Sequence, residues 1–172
     1  MSVLLFFMDP FAAATDWRPV LDAIVGARHG GQIEHVLGRL KDLDAKHPHN
    51  AEIAFQIAWT LDTLDRPGEA VSEYERALSL GLPPNDHANA LVGLGNCLRL
   101  SGQVERAVSV LDKARAQFPD NREFDAFLSL ALHDLGDHAE ALRLALLALC
   151  DTTEDPGLTA YQRALRFAAN QL

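Results

Sequence analysis

The side chains able to do chemistry in this sequence are scattered rather than assembled. Seven histidines suggest a metal, but no HxxxH or HExxH spacing occurs among them. His47 and His49 flank Pro48 at a helix end, where an imidazolium favours the negative pole of the dipole. His133 and His138 stand on either side of a turn. Cys97 and Cys150 form no CxxC motif, and Cys97, beside Asn96 and Arg99, has no histidine following at helical reach to take its proton. His29-Gly30-Gly31 reads as a helix stop and lacks the GxGxxG context of a nucleotide loop. Glu73 and Glu75 fall on a solvated face. The expectation is a protein with no catalytic residue, no metal and no cofactor, hence not an enzyme. Phe55 and Trp59 differ from the rest. They lie one helical turn apart, where they either pack on a neighbouring helix or anchor a bound side chain.

The elements that carry these residues recur with a fixed period. Gly102 and Gly136, Ala107 and Ala141, and Ala114 and Ala148 are each 34 apart. Ala70 precedes Ala107 by 37, and the three-residue surplus falls in the turn from Gly81 to Asp86. Units of 17–50, 51–87, 88–121 and 122–155 result, with a helix left over at 156–172. Each unit reads as two helices. In the third, Leu91, Leu94 and Leu98 recur at helical spacing, Ser101-Gly102 interrupts, Val104, Val108 and Leu111 resume, and Pro119 ends the second helix. Small residues, Ala58, Gly95 and Ser129 on first helices and Ala70, Ala107 and Ala141 on second ones, mark where the two helices cross closely. The fold class is all-α.

This pattern resembles the tetratricopeptide repeat (TPR). Ala58, Ala70, Tyr74 and Ala77 stand where that family has a small residue, alanine, an aromatic and alanine. The third unit carries Gly95, Ala107, Leu111, Ala114 and Pro119 at the same stations. Within the family, the stretches FQIAWTLDTLDRPGEAVSEYERALSLGLP, ALVGLGNCLRLSGQ and FPDNREFDAFLSLALHDLGDHAEALRLALLAL look like the group 5 TPR proteins of bacteria. The resemblance implies a right-handed α-solenoid of about four repeats and a module without assigned enzymatic activity. The first unit departs from the pattern, with Ile24, Val36 and Leu43 where small residues are expected, so its helices should cross less closely. From Asp155 onward the chain suits a capping helix, with Asp155 as N-cap, Pro156 at the first position and an apolar face of Leu158, Tyr161, Leu165 and Ala168.

The resemblance also implies a concave groove lined by first helices, through their positions 2, 5, 9 and 12. Position 5 is Leu21, Phe55, Val92 and Ala126; position 9 is Val25, Trp59, Asn96 and Leu130. Position 12 is Arg28, Asp62, Arg99 and His133, a row of alternating charge. Its structural reading is a ladder of ion pairs between repeats, Asp62 with Arg99 and Arg28. Its functional reading is a set of groups that meet a ligand. The expected peptide-binding groove is Phe55, Trp59, Asp62, Val92, Asn96, Arg99, Leu130 and His133. Val92 stands where carboxylate-binding relatives use lysine, which argues against capture of a C-terminal carboxylate.

At 172 residues, 48% hydrophobic and 23% charged, the chain fits one ordinary globular domain. A net charge of -9 repels polyanions, which excludes nucleic acid as a partner and favours a protein or peptide with a basic patch. Two widely separated cysteines suit a reducing, cytoplasmic setting. The opening residues 1–16 contain an uncharged apolar run, Val3 to Met8. As a helix it would rise only about 9 Å against a hydrocarbon core of about 30 Å, so it is no membrane span. No lysine or arginine precedes Arg18 and Asp9-Pro10 ends the run early, so an export signal is not expected. It is expected to fold back on its own solenoid, over the first repeat or in the groove, with docking on a second copy in a homodimer as the alternative. The expected function is a peptide-binding scaffold or adaptor, against a self-assembling structural protein.

Overall fold

The computed structural model describes residues 16–30 and 32–172. The apolar run from Val3 to Met8 lies outside the described residues, as does its expected docking. The described residues form only helices and the turns between them: α1 (Trp17–Gly26, followed by a 3-10 turn at Ala27–Gly30), α2 (Ile33–Lys46), α3 (Ala51–Thr63), α4 (Pro67–Leu80), α5 (Pro84–Leu100), α6 (Val104–Gln117), α7 (Glu123–Leu135), α8 (His138–Thr152) and α9 (Pro156–Ala169). Each helix packs on the next, and α3, α5 and α7 also touch one another in a row. The result is an α-solenoid of helix pairs.

Short-range chemistry accounts for the helix boundaries. Asp16, Asn50, Asp137 and Asp155 accept hydrogen bonds from first-turn amides of α1, α3, α8 and α9. Pro67, Pro84 and Pro156 open their helices, where a missing N–H costs nothing. The turn inside each of the last three pairs is the same device. Asp65, Gly102 and Gly136 take positive φ (56°, 76° and 95°). The next amide then reaches back to the helix: Arg66 N to Leu61 O at 3.0 Å, Gln103 N to Leu98 O at 2.9 Å and Asp137 N to Leu132 O at 2.9 Å. Glycine suits this conformation; Asp65 adopts it as one of the few L-residues that visit it.

The small residues at the crossings are buried, Ala58, Ala70, Gly95, Ala107, Ser129 and Ala141 among them. At Gly95 a Cβ would overlap Leu111 of α6, so only glycine permits that approach. The first pair lacks these residues; Ile24, Val36 and Leu43 fill its interior, and α1 shares less of its length with α2 than α3 does with α4. The three-residue surplus before the third unit lengthens α5, which begins at Pro84, ahead of the boundary drawn at 87/88.

The last helix departs from expectation in its rotation. α9 turns Leu158, Leu165 and Ala169 inward, while Tyr161 is 69% exposed and Ala168 faces solvent. Two polar contacts set this face: Gln162 Nε2 donates to Cys150 O at 2.7 Å, and Arg166 pairs with Asp151 at 2.6 Å. Consequently α9 leans on α8 and barely meets α7, so the row of first helices ends at α7.

Candidate peptide groove

A cavity of 440 Å³ opens on the row formed by α3, α5 and α7. α3 supplies Phe55, Trp59 and Asp62, α5 supplies Asn89, Val92, Gly93 and Asn96, and α7 supplies Glu123 and Phe127. Tyr74 reaches in from α4. These side chains converge because they repeat at three- and four-residue steps along adjacent helices. Phe55 is 3% exposed and sits in the cavity floor, with its ring centroid 6.0 Å from Trp59 and 6.2 Å from Tyr74. Trp59 is 47% exposed. Gly93 makes room for Tyr74, whose ring tip would collide with a Cβ at that position.

Phe55, Trp59, Asp62, Val92 and Asn96, expected from the repeat register, are brought together here. Leu130 instead borders a separate depression of 530 Å³ with Ala126, Ala145 and Leu149, on the surface that α9 leaves uncovered. His133 turns away to His138, Nδ1 to Nδ1 at 3.0 Å, across the α7–α8 turn. Arg99 lines neither space. Glu123 and Asn89 belong to position 2 of their repeats, a station already implicated by the register. Phe127 and Gly93 sit one residue past position 5 and had no such signal. Tyr74 occupies the family's aromatic packing station, which conceals its second face toward the cavity.

The charge ladder exists, with other partners. Arg99 does not pair with Asp62; it reaches forward to Asp134 at 2.9 Å and donates to Asn96 Oδ1 at 3.1 Å. Arg28 does not pair with Asp62 either. It is 9% exposed and donates to Gln56 Oε1 at 2.8 Å and Thr60 Oγ1 at 3.1 Å, with its guanidinium 4.8 Å from the Trp59 ring centroid. Burial holds its pKa below the usual arginine value. Arg18 joins Glu52 at position 2 of the first two units. Equivalent positions do lie side by side, but a guanidinium spans several ångströms, so the acceptor it finds depends on the offset between helices.

Asp62 is left without a cationic partner; among the described residues no lysine, arginine or histidine nitrogen comes within 4.0 Å of its carboxylate. Burial raises its pKa above the ordinary aspartate value, the Cys97 thiol opposes this by hydrogen bonding, and Asp65 adds to it. Burial likewise pushes up the Cys97 thiol and the Tyr74 phenol, which favours their protonated forms at neutral pH. The cavity therefore offers apolar rings, amides and carboxylates.

Comparison with known proteins adds the family. The sequence model described as Tetratrico peptide repeat, of the fifth TPR group, matches residues 51–172, most of the chain. The chain belongs to the tetratricopeptide-repeat family. Among solved structures, this TPR protein is similar to MamA 41–end from Desulfovibrio magneticus RS-1, with a TM-score of 0.70 and 19% identity over 91% of this chain and 90% of that one. It is also similar to YrrB, a TPR protein with an unusual peptide-binding site (TM-score 0.69, 18% identity, 93% of this chain and 75% of that one). PilF of Pseudomonas aeruginosa matches with a TM-score of 0.66 and 19% identity over 90% and 69% of the two chains. Identities this low speak for a shared fold alone. No curated protein matches the sequence. Among the described residues no helix is long and apolar enough to cross a membrane.

Proposed function

We propose that this TPR protein is a non-enzymatic scaffold, working in the cytoplasm, that holds a segment of a protein partner along the row of α3, α5 and α7. The observation that carries this reading is the cavity itself. It joins a half-exposed tryptophan and a buried phenylalanine on α3, two asparagine amides on α5 and a further phenylalanine on α7. Such a lining anchors an apolar or aromatic group and leaves amides for the bound backbone. Asn96 gives its oxygen to Arg99, which leaves its NH₂ to donate to a bound carbonyl. Arg99, Leu130 and His133 extend the same path beyond the cavity. The fold likeness to YrrB, with its peptide-binding site, supports the reading, and two buried, unpaired cysteines suit a reducing compartment. Affinity capture comparing wild type with a Trp59→Ala/Asn96→Ala variant tests it. The variant should lose the partners that wild type retains; equal recovery by a folded variant would remove the groove from consideration.

Self-assembly is a second reading, and a separate surface favours it. Leu142, Leu149, Tyr161, Phe167 and Leu172 are exposed toward the C-terminal end, with Phe167 at 71%. Light scattering across concentrations, with and without residues 1–15, decides this reading. A monomer throughout would exclude it.

A further inference from the structure

Resting on the peptide-groove reading, we propose that the cavity between α3, α5 and α7 receives a cationic side chain, lysine or arginine, from the protein partner's bound segment. The lining carries two carboxylates, Asp62 and Glu123, and no lysine, arginine or histidine. Several acids between neighbouring helices are already matched by arginines: Asp44 with Arg76, Asp134 with Arg99, Asp125 with Arg115 and Arg122, Asp151 with Arg122 and Arg166. Asp62 and Glu123 lack such partners among the described residues; Glu123 accepts only from the Asn121 amide, at 2.8 Å. The neighbouring arginines do not fill the gap, because Arg99 is committed to Asp134 and Arg28 to Gln56 and Thr60.

Aromatic rings complete the receptor. Phe55, Trp59, Tyr74 and Phe127 border the space, and ring faces attract cations through their quadrupoles. Trp59 already accepts the Arg28 guanidinium at 4.8 Å while remaining 47% exposed. A volume of 440 Å³ admits a long side chain with its stem along the apolar lining, Val92 and Phe55, and its head at a carboxylate. The overall charge of -9 attracts such a partner from a distance. The chain's own N-terminal segment is the poorer occupant, because the only charged side chain before Asp16 is Asp9, of the wrong sign.

The test uses the full chain carrying Trp17→Phe, so that emission reports Trp59 alone, and four capped pentapeptides. These have leucine on both sides of a central lysine, arginine, norleucine or glutamate. The lysine and arginine probes should bind about tenfold more tightly than norleucine, with the glutamate probe weakest. Asp62→Asn and Glu123→Gln should each erase most of that preference, bringing the lysine and arginine probes down toward norleucine, with the circular dichroism spectrum unchanged. Binding of norleucine as tightly as lysine would overturn the cation assignment and leave the peptide groove standing. Binding that emerges only after residues 1–8 are deleted would also overturn it, since the chain's own apolar segment would then be the occupant. If no probe moves Trp59 emission at millimolar concentration, the groove reading fails and this proposal fails with it.

Discussion

Two depressions in this solenoid hold aspartates and treat them in opposite ways. The first is the cavity on α3, α5 and α7, where Asp62 faces rings and amides and meets no arginine. The second, of 360 Å³, lies among α6, α7, α8 and α9 and is lined by Arg115, Arg122, Arg143 and Arg166 with Asp125 and Asp151. There every arginine has a carboxylate. Asp125 takes Arg115 and Arg122, each at 3.3 Å, Asp151 takes Arg122 at 3.1 Å and Arg166 at 2.6 Å, and Arg143 joins Glu140 at 2.6 Å. The network ties α9 to the body of the solenoid. Charge in a depression is therefore not itself a sign of binding. What distinguishes the two is whether the protein has already supplied the counter-charge.

Breaking the saturated network should have the larger effect on stability. Asp125→Ala removes an acceptor shared by two arginines, and a loss of about 2 kcal/mol is expected in urea melts, below the cost of breaking a fully buried pair because both arginines are partly exposed. Gly93→Ala should cost about 1–2 kcal/mol by displacing the Tyr74 ring. It should also reshape the cavity, so peptide binding falls further than stability does; a parallel loss of both would tie Tyr74 to packing alone.

Asp62→Asn should act in the opposite direction. The folded pKa of Asp62 is raised, so the ionised carboxylate disfavours the folded state above that pKa, and the penalty fades as pH falls through it toward the ordinary 3.8. The groups facing it, Cys97, Tyr74 and Asp65, stay in place in the variant. The variant should gain less than about 1 kcal/mol at pH 7 and nothing at pH 3. A loss at pH 7 would mean that Asp62 is structural, like Asp125. The smallest effect is expected for Arg99→Ala, which removes a partly exposed pair with Asp134 and should cost about 0.5 kcal/mol or less, more at low salt than at high.

Much of the architecture was legible because it depends on local sterics. A position that must take positive φ prefers glycine, and a helix crossing without space for Cβ prefers glycine or alanine, so Gly102, Gly136, Gly95 and Ala107 mark turns and contacts directly. Asp65 shows the limit: it fills the same turn position without announcing it. The cavity was partly legible through Phe55, Trp59, Asp62, Val92 and Asn96, which repeat along first helices. Tyr74 and Phe127 were not, since each reads as packing until the helix beside it is in place.

The sequence by itself determined an all-α chain counted in repeats, their turns and their close crossings, because each follows from backbone geometry within a few residues. Tertiary structure alone decided which charges meet, which face α9 buries and which carboxylates remain unpaired. Those outcomes depend on offsets of a few ångströms between helices distant in sequence, and long flexible side chains respond to such offsets by choosing different partners. The repeat period carries no record of that choice.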